Sequence, residues 1–418
     1  MTCFLHEKAC KGTAKKSNMQ IFGQKSATFL LFPFIFRNFA PSFDKKHICM
    51  PAKERNRSID ILRAIAIILV VFAHMFPIPG GAWLSEHFHA SSYRLAIFLF
   101  ISGYLFRDIE WDNYGRFVWQ KIKNLVIPFI GWNIAYAGIV SVINLRHPVN
   151  YLPPTHSVWS FHSLFIEPFI SGHQYTLNLA TWFVGMLFIA LVIYALLHLF
   201  TKRLPNWTIL IIYLLIACLG LYSARFDMPA RGWVILQRTA YALFFIQFGR
   251  CFRLYIEPLL SPHKLWWILL SILPLWYCVM LGSGNSYSLV WMQYDGAIFR
   301  PIIAGIFGCV FWMIASMQIA KWIPQNKVER AISNSTWSIM TNHIFVRFML
   351  CWLYVYFAHD ITMQENFRTN VWFFPKSVIF YYIAIILEIA IPVLWQLGFD
   401  RFKEHARSIF YALTNRTK

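Results

Sequence analysis

Apolar residues in this chain gather into long runs separated by short polar loops. A membrane-spanning helix needs about 20 mostly apolar residues. Ten windows meet or approach that length: roughly 59–77, 90–106, 121–144, 179–200, 207–224, 233–251, 264–281, 298–320, 336–357 and 373–397. The pattern predicts an all-α polytopic membrane protein with about ten transmembrane helices. Basic residues divide unevenly among the loops. "KERNR", "RDIEWDNYGRFVWQKIK", "TKRLPN", "GRCFRLYIEPLLSPHK", "KWIPQNKVER" and the C-terminal tail hold about 20 Lys and Arg. The alternate loops hold about six, counting those at span edges. Cytoplasmic loops carry the excess of positive charge, which predicts an N-in/C-in arrangement.

Residues 1–49 fall outside this plan. Their apolar run, "ATFLLFPFIF", is about half the length needed to span, and Pro33 interrupts it. The reading is an N-terminal extension over 1–49, disordered or upstream of the true start, a transmembrane domain over 50–400 and a cytoplasmic basic tail over 401–418. The longest loop on the less basic side, 145–178, carries His147, His156, His162, Glu167 and His173. It reads as a connection or as a partly ordered lid over an outward cavity.

Composition changes the picture in one respect. The chain is 418 residues long, 58% hydrophobic and 13% charged. Its mean hydropathy is +0.50. Soluble proteins carry about 25% charged residues. The net charge of +20 would suggest nucleic acid in a soluble protein. Here the positive-inside bias accounts for it, and the expected partner is the lipid bilayer, with no nucleic acid. The 8 cysteines form no CxxC pair, and four lie inside apolar runs. Neither a disulfide framework nor a metal site is expected.

Candidate chemistry begins in the first window, "SIDILRAIAIILVVFAHMF". Arg63 and His74 are eleven positions apart, about 1100° of helical rotation, so they share a face about 16 Å apart along the axis. Asp60, three residues before Arg63, can reach it. Ionisable residues inside a membrane normally face a bundle interior or a wet cavity. An Arg offers a fixed fork for phosphate or carboxylate, and a His can act as a general base near neutral pH. Further charges lie in later windows. Arg238 and Arg300 sit near span starts, where interfacial snorkelling explains them. Arg347 lies four residues after His343, on the same face. Glu388, deep in the last span, calls for a basic partner that the sequence does not name.

These residues resemble a known family. "IDILRAIAIILVVFAH" is similar to the first helix of the integral-membrane acyltransferase 3 family, whose signature is Arg, ten residues, then His: here Arg63 and His74. "FLFISGYLF" resembles that family's aromatic run ending in Ser-Gly-Tyr/Phe, at Ser102, Gly103 and Tyr104. "KIKNLVIPFI" (ending at Pro128 and Phe129), "TWFVGMLF" (Trp182, Phe183) and "ISNSTWSIMTNHIF" (His343) follow in family order. Where many members have an Arg-rich segment, this chain has Lys121, Lys123 and Asn124 before Pro128. The element preceding the aromatic run is also replaced, by "HFHASSYRLA", with His87, His89 and Arg94.

The resemblance implies a membrane O-acyltransferase. It would move an acyl group, usually acetyl, from cytoplasmic acetyl-CoA to a hydroxyl of a sugar or lipid-linked glycan, in a bacterial inner membrane. Acyl-CoA is then a donor substrate and no cofactor is bound. The branches nearest in style are the fucose 4-O-acetylase-like and enterobacterial-antigen O-acetyltransferase-like proteins. His74 and Arg63 are the catalytic candidates. Asp60, Ser102, Tyr104, Trp182, His343 and Arg347 complete the candidate substrate-binding set. Direct attack and a covalent acyl-enzyme on His74 or Ser102 both remain open. So does a transporter without acyl-transfer chemistry, which midplane charges also suit.

Overall fold

The computed structural model describes residues 56–415 except 75–89, 147–156, 173–174, 227–230, 262, 282–286, 295, 360–362, 365–366, 368–374 and 376. The extension over 1–49, and His87, His89, His147, His156 and His173, lie outside the described residues. Twelve helices carry the described fold: α1 Arg57–Ala73, α2 Ala90–Tyr104, α3 Trp111–Lys121, α4 Ile127–Arg146, α5 Trp182–Thr201 and α6 Asn206–Ser223. They continue as α7 Arg231–Cys251, α8 Leu265–Leu281, α9 Phe299–Trp322, α10 Lys327–Asn334, α11 Thr336–Ala358 and α12 Val378–Asn415. A helix occupies each of the ten apolar windows. Length and composition mark six helical stretches as able to cross a membrane: Trp111–Ile143, Thr176–Thr201, Asn206–Ser223, Phe299–Trp322, Thr336–Ala358 and Val378–Ala406. The remaining windows hold α1, α2, α7 and α8. The first, second and last of these are 17 residues long or fewer. α7 is long enough, but Gln237, Arg238, Gln247 and Arg250 are buried along it.

α1 sits among partners on several sides, touching α2, α9, α10, α11 and α12. Its start is fixed locally. Asn56 caps the helix by accepting from the Ser58 amide at 3.0 Å, which satisfies one of the free N-terminal N–H groups. Arg57 then reaches across to Glu329 with a bidentate pair, 3.0 Å and 2.7 Å, and to the Ala320 carbonyl at 2.9 Å. α2 and α7 approach closely enough that a Cβ on Gly103 would lie 1.7 Å from the Ile246 carbonyl oxygen. A Cβ on Gly249 would lie 2.0 Å from that of Phe100. Small residues at such crossings let two backbones come together. Gly103, from the Ser-Gly-Tyr motif, is therefore a packing residue.

The loop after α4 is not a loose connection where it is described. Asn133 donates to the carbonyls of Ser163 and Leu164 at 3.0 Å and 2.8 Å. Tyr175 and Leu177 are buried with Tyr136, Phe348 and Cys351. The segment lies against α4 and α11. Among the described residues, three π-helical turns occur, at Ile122–Val126, His162–Ile166 and Phe252–Ile256. The first falls on the Lys-rich motif. There the Lys121 and Lys123 ammonium groups lie over the rings of Phe117 and Trp119, 5.1 Å and 5.2 Å from their centroids.

Candidate functional site

α1 ends at Ala73, and His74 is its C-cap residue, with backbone angles of −95° and −2°. The sequence window ran three residues further, and the structure stops the helix at the His instead. The last carbonyls of a helix lack intrahelical donors, and Arg347 supplies one. Its Nη1 donates to the His74 carbonyl at 2.6 Å. A cation at that position also suits the negative end of the helix dipole. The same guanidinium donates through Nε and Nη2 to the two Glu388 oxygens, at 2.8 Å and 2.7 Å. Glu388 is 0% exposed and Arg347 is 3% exposed. The buried acid thus finds its partner on α11, and that partner holds the end of α1.

His343 lies beside His74. The ring centroids are 5.1 Å apart and tilted by 53°. His343 Nε2 is 3.4 Å from His74 Nδ1. Both imidazoles make the same local contact, each Nδ1 lying against the carbonyl four residues earlier: His74 on Val70 at 2.8 Å and His343 on Ile339 at 2.9 Å. A carbonyl only accepts, so each Nδ1 carries the hydrogen and each Nε2 carries a lone pair. The His343 lone pair faces His74. The His74 lone pair makes no hydrogen bond among the described residues. His343 is fully buried and His74 half-buried. Arg94, from "HFHASSYRLA", is half-buried on α2, and its charge acts on both rings.

The other candidates fall into separate places. Arg63 lies 3.7 Å from Asp60, and Ser333 donates to that carboxylate at 3.4 Å. This pair sits three turns from His74, toward the α1 N-terminus. Tyr104 packs inward at 5% exposure. Its hydroxyl lies 2.9 Å and 2.7 Å from the Glu257 oxygens and accepts from Asn56 at 2.8 Å. It ties α2 to the residues after α7. Ser102 donates to the Phe98 carbonyl of its own helix at 2.8 Å. Trp182 is buried under the Arg238 guanidinium, 4.7 Å from the ring centroid. Arg238 corrects a sequence reading. It is 3% exposed and donates to the carbonyls of Val290 and Ile170, so it staples loops instead of snorkelling to an interface.

The sequence reading missed a second polar node. Asp108, between α2 and α3, is ion-paired with Arg250 Nη1 at 2.5 Å and lies 3.2 Å from His198. Partial burial raises the Asp108 carboxyl, but the opposing pull of Arg250 and His198 is larger and leaves it below the usual carboxylate range. Arg250 and His198 come from α7 and α5, far apart in sequence, so no local spacing announces them. The His74–Arg347–Glu388 grouping has the same origin, with α1, α11 and α12 each contributing one residue. Only the His343–Arg347 spacing was visible beforehand.

No curated protein and no solved structure shows significant similarity to the chain. The profile of the acyltransferase 3 family, described as an acyltransferase domain, matches residues 56–396. That interval starts at the Asn56 cap of α1 and ends within α12, so it takes in every residue of the His74 site. The chain belongs to the acyltransferase 3 family and is an integral-membrane acyltransferase.

Proposed function

We propose that this protein transfers an acyl group, acetyl in the simplest case, from cytoplasmic acyl-CoA to a hydroxyl of a sugar or cell-surface glycan. The membrane is a bacterial inner membrane, with both ends of the helical domain in the cytoplasm. His74 is the general base. The observation that carries this reading is the His74 Nε2 lone pair, without a hydrogen bond among the described residues, on a ring whose Nδ1 lies against the Val70 carbonyl and whose backbone is held by Arg347. A base fixed in this way can take the acceptor hydroxyl proton as the oxygen attacks the thioester carbonyl. Coenzyme A leaves as the thiol once that proton reaches its sulfur. Arg63 lies toward the more basic end of α1, about 16 Å away. That span suits a donor whose anionic end meets the Arg while its thioester reaches the His.

The test supplies radiolabelled acetyl-CoA to membranes containing the protein and follows label into glycan and lipid fractions. The proposal expects label on a glycan, lost with His74→Ala. Label at an undiminished rate in His74→Ala overturns the assignment of the base. Absence of label from every glycan and lipid favours transport without chemistry. Mass spectrometry of surface glycans with and without the gene then identifies the acceptor.

A further inference from the structure

The mechanism above uses one imidazole, yet two lie side by side. We infer that His343 is a proton relay behind His74, a role that rests on the acyltransferase reading. His74 Nδ1 has two acceptors within reach, the Val70 carbonyl at 2.8 Å and His343 Nε2 at 3.4 Å. The carbonyl cannot take the proton. The His343 nitrogen can, because its own hydrogen sits on Nδ1, against Ile339. The rings are tilted at 53°, and the relay requires His74 to turn its Nδ1–H from the carbonyl to that lone pair.

The steps balance. The acceptor O–H bond breaks and its proton joins His74 Nε2, while the oxygen forms a bond to the thioester carbon. The Nδ1 proton of His74 moves to His343 Nε2, leaving His74 neutral and the positive charge on His343. The C–S bond then breaks. The His343 proton returns to His74 Nδ1, and the Nε2 proton of His74 passes to the departing thiolate. Both rings end as they began. Charged groups on three helices face the pair. They include Arg94 on α2 and Arg347 on α11. Glu388 on α12 balances Arg347. Arg347 also fixes the relative placement, because it belongs to the His343 helix and grips the His74 carbonyl.

The test is the single-turnover transfer rate in mixtures of light and heavy water. With two protons in flight, the wild-type rate falls along a curve as deuterium increases. His343→Gln keeps an acceptor for His74 Nδ1 but cannot take its proton. It is expected to lose about a hundredfold in rate, with the KM for acyl-CoA unchanged and with a straight-line dependence on deuterium. A straight line for the wild-type protein overturns the relay and needs no variant to fold. So does a His343→Gln protein that retains half the wild-type rate, which would leave His343 an orienting group only. A wild-type protein that transfers no acyl group overturns the acyltransferase reading itself. Thermal unfolding in detergent accompanies each variant, and a rate loss that tracks lost stability counts against the relay.

Discussion

Arg63 with Asp60 and Arg347 with Glu388 are the same chemical pair in two settings. The first is local: two residues three apart on α1, with a longest-reach contact of 3.7 Å and an Arg 28% exposed. The second joins α11 to α12 by two parallel hydrogen bonds of 2.8 Å and 2.7 Å, with both partners buried. A pair at this separation with its Arg partly exposed contributes little to stability. A buried pair is costly to assemble and far costlier to break, because the survivor is left uncompensated. The two pairs divide the labour. Arg347 is committed to Glu388 and to the His74 carbonyl, so it builds the site. Arg63 is partly exposed and lies farther from its acid, and the proposed mechanism assigns it the substrate anion.

Removing one partner of the buried pair should have the largest effect. Arg347→Met leaves Glu388 unpaired and the His74 carbonyl uncapped. It should lower stability by about 3–5 kcal/mol and abolish transfer, read by thermal unfolding in detergent and by the labelling assay. The double variant Arg347→Met/Glu388→Leu removes both charges. It should recover most of that stability without recovering transfer, because His74 still lacks its clamp. Recovery of both would mean that the pair serves the fold alone. Arg63→Lys should leave the unfolding temperature unchanged and raise the KM for acyl-CoA about tenfold, the scale of one charged hydrogen bond. An unchanged KM would place the donor elsewhere.

The smallest effect belongs to the Asp108 node, which is mostly solvent-facing at 69% exposure. Its folded carboxyl titrates below its unfolded value of about 3.9. The contribution is therefore complete above that value and is lost as pH falls through the folded one. Asp108→Asn should cost about 1 kcal/mol or less at neutral pH. The gap between variant and wild type should close below about pH 4, as followed by unfolding across pH. A gap that persisted in acid would point to packing and not charge.

The sequence made the helices legible because lipid demands long apolar runs, and each of the ten windows holds a helix. The expectation that Arg63 and His74 share a face depends only on helical repeat. What lay hidden was everything that three or more helices must meet to make. Glu388 announced the need for a cation but not which one, because α11 and α12 are joined by side chains whose register no local pattern encodes. The two histidines carried no mark of adjacency, being 269 positions apart. Arg238 was misread for a related reason. Its place near a window edge suggested an interface, whereas the loops at Ile170 and Val290 fold over it and bury it. Tyr104 likewise sits near a helix end, yet Glu257 draws its hydroxyl into the bundle.

The central claim is that His74, held by Arg347, takes the proton in acyl transfer. The most direct measurement is the single-turnover rate of acyl transfer by purified wild-type and His74→Ala proteins at saturating acyl-CoA. His74→Ala should lose at least about a hundredfold in rate, with donor binding and thermal stability retained. Transfer by His74→Ala at the wild-type rate would contradict it.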